Sequence, residues 1–227
     1  MAEEWQKNAD VHLKRIDDGI KKIDARLELR GKAGLNIQSF NRDLPTLAET
    51  MKSANELDIQ APGDVAEALQ GKLIQADPHA PGYWPAVAQF ITYRSRQAFP
   101  NGIRDALLNG PIANTALPRC YGQGRVAMLD KDLHQTEPNV WSHCVLYLDD
   151  PFGASSHSRK GDLIFQECLV VYKGGPVDEF VQFALFQNCI FLFSSESPPS
   201  KLGEAVSQVL LKSLPLLSIK IPPSVTN

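Results

Sequence analysis

Four cysteines carry the most versatile chemistry in this chain, since thiols ligate soft metals, form disulfides and act as nucleophiles. They stand at positions 120, 144, 168 and 189, at intervals of 24, 24 and 21 residues. Zinc sites are usually built on close pairs such as C-x2-C, with ligands converging on a tetrahedron. No such pair is present. A disulfide needs its sulfurs about 2 Å apart, and nothing in the sequence points to an oxidising compartment. The expectation is four reduced thiols that serve as small buried hydrophobes, with no metal and no cofactor.

Other chemistry is sparse. The histidines, at 12, 79, 134, 143 and 157, are scattered without ligand spacing. No P-loop, dinucleotide-binding glycine turn, G-x-S-x-G or HExxH motif occurs. The polar stretch DDPFGASSHSRKGD, 149–162, reads as an exposed loop. Loops of this kind carry binding and catalysis more often than regular elements do. Its Asp149, Asp150, His157, Arg159 and Lys160 form one candidate binding set. Tyr83, Trp84, Tyr93 and Arg94 form a second candidate patch, although aromatic residues in a helical region more often pack a core. No residue is assigned a catalytic role.

The cysteines are also markers of a repeat, because their flanks are alike: ALPRCY, VWSHCVLY, IFQECLVVY and LFQNCIFLF. Three residues before each stands Leu117, Trp141, Phe165 or Phe186, and one residue before it stands Arg119, His143, Glu167 or Asn188. Self-similarity at this period marks a stacked array. The cores are short, β-branched and aromatic, which favours strands over helix pairs. A coil of a parallel β-helix fits the length, with each repeat position forming a column at strand spacing, about 4.8 Å.

The pattern aromatic-x-polar-Cys-x-apolar resembles the repeats of right-handed parallel β-helices of the pectin-lyase-like kind, FQNCIF most closely. The resemblance covers about residues 112–195. It implies a bend at the polar residue that resets the in/out alternation, so that the aromatic and the cysteine both point inward. Plain period-2 alternation would place them on opposite faces. Asn188 suits such a bend because Asn tolerates positive φ. Glu167, His143 and Arg119 depart from the family's asparagine. Cys120, Cys144, Cys168 and Cys189, with Trp141, Phe165 and Phe186, would then be interior columns. Many members of that class act on polysaccharides, and hydrolases of that kind need paired carboxylates at a controlled separation. The family's catalytic signatures, G-H-G and R-x-K beside paired aspartates, are missing here. Glu167 and Asp178 are the outward acidic residues that such an activity would draw on, beside the 149–162 loop.

After SSESPPSK, the segment 202–214 places Leu202, Val206, Val209, Leu210 and Leu214 at helical spacing. A helix there is a natural lid for the open end of a solenoid. The final SIKIPPSVTN reads as a strand that then frays.

Residues 2–30 read as one helix that ends at Gly31 and Gly34. Ala9, Leu13, Ile16, Ile20, Ile23 and Leu27 are spaced 4, 3, 4, 3 and 4, a heptad stripe over about three repeats. Either this stripe docks on the chain's own domain or residues 5–30 bind a protein partner or a second copy. Further helices are expected from Asp43, whose carboxylate would cap LPTLAETMKSANEL, from Asp64 with Glu67 in a capping-box arrangement, and from Pro85. NGIRDALLNG, 101–110, reads as a short helix or turn.

The expected fold class is α+β: a helical region over 1–110, then a short right-handed parallel β-helix of about four coils over 111–227 with its capping helix at 202–214. The net charge of −3 with 22% charged residues gives no general attraction to nucleic acid. No apolar run reaches the ~18–20 residues of a membrane span. MAEEWQKNAD does not read as a secretory signal, so a cytoplasmic protein is expected. The function expected is that of a non-enzymatic interaction or scaffold protein. The alternative is a carbohydrate-active protein, lyase- or hydrolase-like, using the 149–162 loop.

Overall fold

A computed structural model describes residues 2–98, 117, 119–120, 135–137, 140–149, 163–214 and 218–221; for 2–10, 12, 13, 15, 16, 20 and 135–137 it describes the backbone alone. The chain divides into two compact units, Met1–Ala86 and Val87–Asn227. Its described residues are helices together with parallel strands in sheets, an α+β fold.

In the first unit α1 (Ala2–Gly34) packs against α2 (Ile37–Glu56) and α3 (Gly63–Gln75). Ala25, Leu29 and Lys32, spaced 4 and 3, are buried on one face of α1. A buried ammonium needs a partner, and Lys32 Nζ lies 2.6 Å from Asp43 Oδ2 and 3.6 Å from Glu28 Oε1. The core is completed by Phe40, Leu44, Leu47, Met51, Leu69 and Leu73. Lys72 donates to the Leu35 carbonyl, the connection between α1 and α2.

The first helix runs through Gly31 and ends at Gly34, the later of the two glycines expected to stop it. Three helix starts differ from expectation. The second begins at Ile37, where Asn36 Oδ1 accepts from Ser39 N at 2.9 Å. Asp43 is therefore inside α2 and serves as the partner of Lys32 instead of a cap. Pro45 lies within the helix. The backbone of Gly82, at φ 81°, presses against it, and a Cβ there would lie 2.7 Å from Pro45 N. The third helix has no side-chain cap, and Asp64 sits in its first turn, where a carboxylate favours the helix dipole. Pro85 occupies the first turn of α4 (Tyr83–Gln97).

In the second unit the strands are β1 (Gln135–Glu137), β2 (Val140–Ser142), β3 (Val145–Tyr147), β4 (Leu163–Gln166), β5 (Leu169–Tyr172), β6 (Ala184–Gln187), β7 (Ile190–Phe193) and β8 (Ser218–Lys220); α5 (Lys201–Ser213) precedes β8. One sheet has the order β1-β2-β4-β6-β8 and the other β3-β5-β7. β2, β4 and β6 are parallel, as are β3, β5 and β7, while β1 and β8 run antiparallel to their neighbours. Trp141 pairs in register with Phe165 and Phe165 with Phe186. The offset between paired residues is thus 24 and then 21, the same as the cysteine intervals.

β2, β4 and β6 of the first sheet each pass into a strand of the second, β3, β5 and β7, through a two-residue bend. Its first residue has positive φ: His143 54°, Glu167 51° and Asn188 51°. That conformation rotates the following residue by half a pleat. Phe165 and Cys168, three residues apart, are accordingly both buried, as are Phe186 and Cys189.

Both sheets end on a neighbour. β8 lies along β6, with Ile219 opposite Phe186. The exposed edge of β7 is met by hydroxyl groups of α4: Phe191 N donates to Ser95 Oγ at 2.7 Å and Phe193 N to Thr92 Oγ1 at 2.8 Å. Thr92 Oγ1 donates in turn to the Phe193 carbonyl at 3.1 Å. The expected C-terminal helix forms one residue earlier than read, capped by Ser200 Oγ accepting from Gly203 N. Gly203 lies against the Tyr172 hydroxyl, where a Cβ would overlap it.

Candidate functional site: the cysteine ladder

The bends bring Cys144, Cys168 and Cys189 into one buried file, which Cys120 joins beside Val145. Backbone hydrogen bonds hold successive members side by side: Cys120 N to Val145 O at 2.9 Å, Leu169 N to Cys144 O at 3.0 Å, and Ile190 N to Cys168 O at 2.9 Å. Trp141, Phe165 and Phe186 stack next to them, with ring centroids 5.5 and 5.6 Å apart and interplanar angles of 23° and 19°.

The expectation of four reduced thiols is corrected. Cys120 and Cys144 are joined by a disulfide with Cα atoms 4.9 Å apart, and Cys168 and Cys189 are free. The reason lies in a coincidence of lengths. Neighbouring strands are about 4.8 Å apart, and disulfides accept Cα separations of about 4.4–6.8 Å. A ladder of cysteines in register is therefore spaced for bridging, which sequence periodicity alone does not announce.

Cys168 Sγ lies 3.6 Å from Cys144 Sγ. The sulfurs of Cys120, Cys144 and Cys168 lie within 4.8 Å of one another. With two of the three bonded together, only one free thiol remains in that group, too few for a metal. The two free thiols have different acidities. A hydrogen bond from the Cys189 side chain holds the Cys168 thiol below the ordinary range, against the effect of burial. Burial pushes Cys189 well above it, so Cys168 is the more acidic of the two free thiols.

On the outer side of the bends, His143 Nε2 lies 2.9 Å from Glu167 Oε2. Gln166 Nε2 donates to Gln187 Oε1 at 2.7 Å. Arg119 lies 4.9 Å from the Tyr147 ring centroid.

The other candidate residues are placed unevenly. Of the 149–162 set, Asp149 follows β3, whereas Asp150, His157, Arg159 and Lys160 lie outside the described residues, as does 101–110. Asp178 caps the short 3-10 turn Glu179–Phe183, its Oδ1 accepting from Phe180 N at 3.1 Å. Tyr83 and Tyr93 are buried in the helix, and Trp84 and Arg94 are half-buried.

No family model, curated protein or solved structure matches this chain. Among the described residues no helix is long and apolar enough to cross a membrane.

One distinction was missed from sequence. The stripe residues Ile23 and Leu27 are 57% and 63% exposed, while Ala25 and Leu29, half a turn round, are buried. A second apolar line of only two residues beside a full heptad stripe is a weak signal, and Lys32 at its end obscures it further.

Proposed function

We propose that this protein is a non-enzymatic scaffold that self-associates through α1. The observation that carries the reading is the outward position of Ile23 and Leu27. Ala25 and Leu29 already hold the helix to its own unit, so Ile23 and Leu27 of the heptad stripe are left for another helix. A second copy is the occupant, because a 4-3 stripe offers an identical seam on each chain and pairs across a two-fold axis. Lys21 and Asp17, 2.6 Å apart on the same helix, flank that seam with charge of both signs.

The platform in this proposal is a short right-handed parallel β-helix. Its support is the repeated register of 24 and 21 residues, the positive-φ bends, and a parallel bridge of Gly175 to Pro199 outside the two sheets. The protein is read as cytoplasmic. Disulfides there are usually transient or redox-sensing, so the Cys120–Cys144 bridge is reversible in this reading.

The test is light scattering of the full chain and of the double variant Ile23→Lys, Leu27→Lys. Both side chains are exposed, so helix content should stay unchanged by circular dichroism. The expected result is a dimer that becomes a monomer. A wild-type monomer, or a dimer that survives both substitutions, refutes the proposal. Deleting residues 1–30 would be a poorer test, since it removes Ala25 and Leu29 from the core.

A further inference from the structure

We propose that Cys168 is the resolving thiol of the Cys120–Cys144 disulfide, so that the bridge can move one strand along the ladder to Cys144–Cys168. The proposal rests on position. Cys168 Sγ is 3.6 Å from Cys144 Sγ, and both side chains are buried. The strands that carry them are paired in register on the far side of the bend, Val145 with Leu169, Leu146 with Val170 and Tyr147 with Val171. Cys144 and Cys168 are thus separated by one strand spacing, like the bonded pair, and a disulfide fits either position.

The exchange balances within the chain. Cys168 loses its thiol proton and its sulfur attacks Cys144 Sγ, the usual route of thiol–disulfide exchange. A new Sγ–Sγ bond forms as the Cys120–Cys144 bond breaks. The electron pair leaves on Cys120 Sγ, which takes up a proton. One disulfide and two thiols exist before and after, so no outside oxidant or reductant is required. The three sulfurs lie within 4.8 Å of one another, which sets Cys168 beside the bond and not in line with it. In-line attack therefore requires Cys168 Sγ to move, and rotation about its χ1 is the motion that displaces that single heavy atom.

The asymmetry between the free thiols favours this direction. Cys189 keeps its proton and donates toward Cys168, which raises the fraction of Cys168 present as the attacking thiolate. The consequence falls on Cys120. Once released, it is still tied to the sheet by non-covalent contacts, among them the Cys120 N to Val145 O hydrogen bond, the bridge of Arg119 to Val145 and Arg119 over the Tyr147 ring. The segment leading into the strands then loses a covalent anchor while the buried file keeps one.

The experiment incubates the intact oxidised chain, without reductant, with an alkylating agent, and maps bridges and blocked cysteines by peptide mass spectrometry over time. Alkylation traps Cys120 whenever it is free. The expected result is growing alkylation of Cys120 together with a Cys144–Cys168 linked peptide. A second arm oxidises Cys120→Ser with glutathione disulfide, where the same linked peptide should form. The proposal is overturned if the wild-type bridge stays at Cys120–Cys144 with alkylation confined to Cys168 and Cys189. It is also overturned if the purified chain carries four reduced cysteines and a stoichiometric bound metal. If Cys120→Ser loses its fold by circular dichroism, the wild-type arm decides alone.

Discussion

Phe165→Ala tests whether the aromatic file is the structural spine of the second unit. Phe165 is fully buried at the middle of the file, stacked on Trp141 and Phe186, with Phe180 tilted against it at 6.1 Å. Truncating a buried Phe to Ala costs about 3–5 kcal/mol through lost transfer energy and the cavity left behind. Aromatic pairing is worth about 0.5–1.5 kcal/mol per pair beyond area, and two parallel stacks disappear here. The measured range for such truncations already contains lost ring contacts, so two stacks place the variant near its upper end, about 4–5 kcal/mol, against a usual global stability of about 5–15 kcal/mol. Urea titration followed by tryptophan fluorescence and near-ultraviolet circular dichroism measures it, with an unchanged slope marking a change of stability alone. Phe183→Ala, at a side chain 52% exposed, is the internal control and should stay within about 0.5 kcal/mol. If Phe165→Ala costs less than about 1.5 kcal/mol, or no more than the control, the ring is not enclosed as described. Stacking across the strands would then be irrelevant to the fold.

Gly174→Ala should destabilise by more than about 2 kcal/mol on thermal melting. Its φ is 103° and the Ser197 carbonyl carbon would lie 2.7 Å from the new Cβ, a backbone clash that cannot be relieved by a rotamer. Thr92→Val with Ser95→Ala should cost about 1–3 kcal/mol per orphaned amide, because Phe191 N and Phe193 N are left buried without acceptors. Hydrogen exchange at those two amides should accelerate more than elsewhere in β7. Stability should also fall above pH ~9. Burial raises Cys189 and Tyr172 above their unfolded values, so their contribution is complete below the unfolded range. It is lost as the pH rises, when the unfolded chain ionises first. Cys168, held low, acts in the opposite sense, and Tyr172→Phe should flatten part of the alkaline decline in the urea midpoint.

Much of the strand arrangement is written in the cysteine spacing, because equal intervals in parallel strands are equal register shifts. Position 188 also announces its backbone, since asparagine is at ease at positive φ. His143 and Glu167 adopt the same conformation without that chemistry, held by the strands on either side. The disulfide is invisible at this level because periodicity fixes which residues are neighbours and says nothing about their oxidation. Asp43 is by residue type as good a cap as Asn36, and only its pairing with Lys32 shows that it is used elsewhere. Thr92 and Ser95 look like ordinary polar residues of a helix. Their role depends on a strand about a hundred residues later in the chain, a relation no local window contains.

The two hydroxyls of α4 also impose an order on biosynthesis. Their partners in β7 are 96 and 101 residues downstream, so the acceptors have already left the ribosome when that strand emerges. A nascent polypeptide passes through its most sticky stage while sheet borders are bare, and here the guard is translated before the border it guards. Reversing that order, as in a circular permutant that begins after residue 98, should turn a tractable nascent chain into one that depends on chaperones.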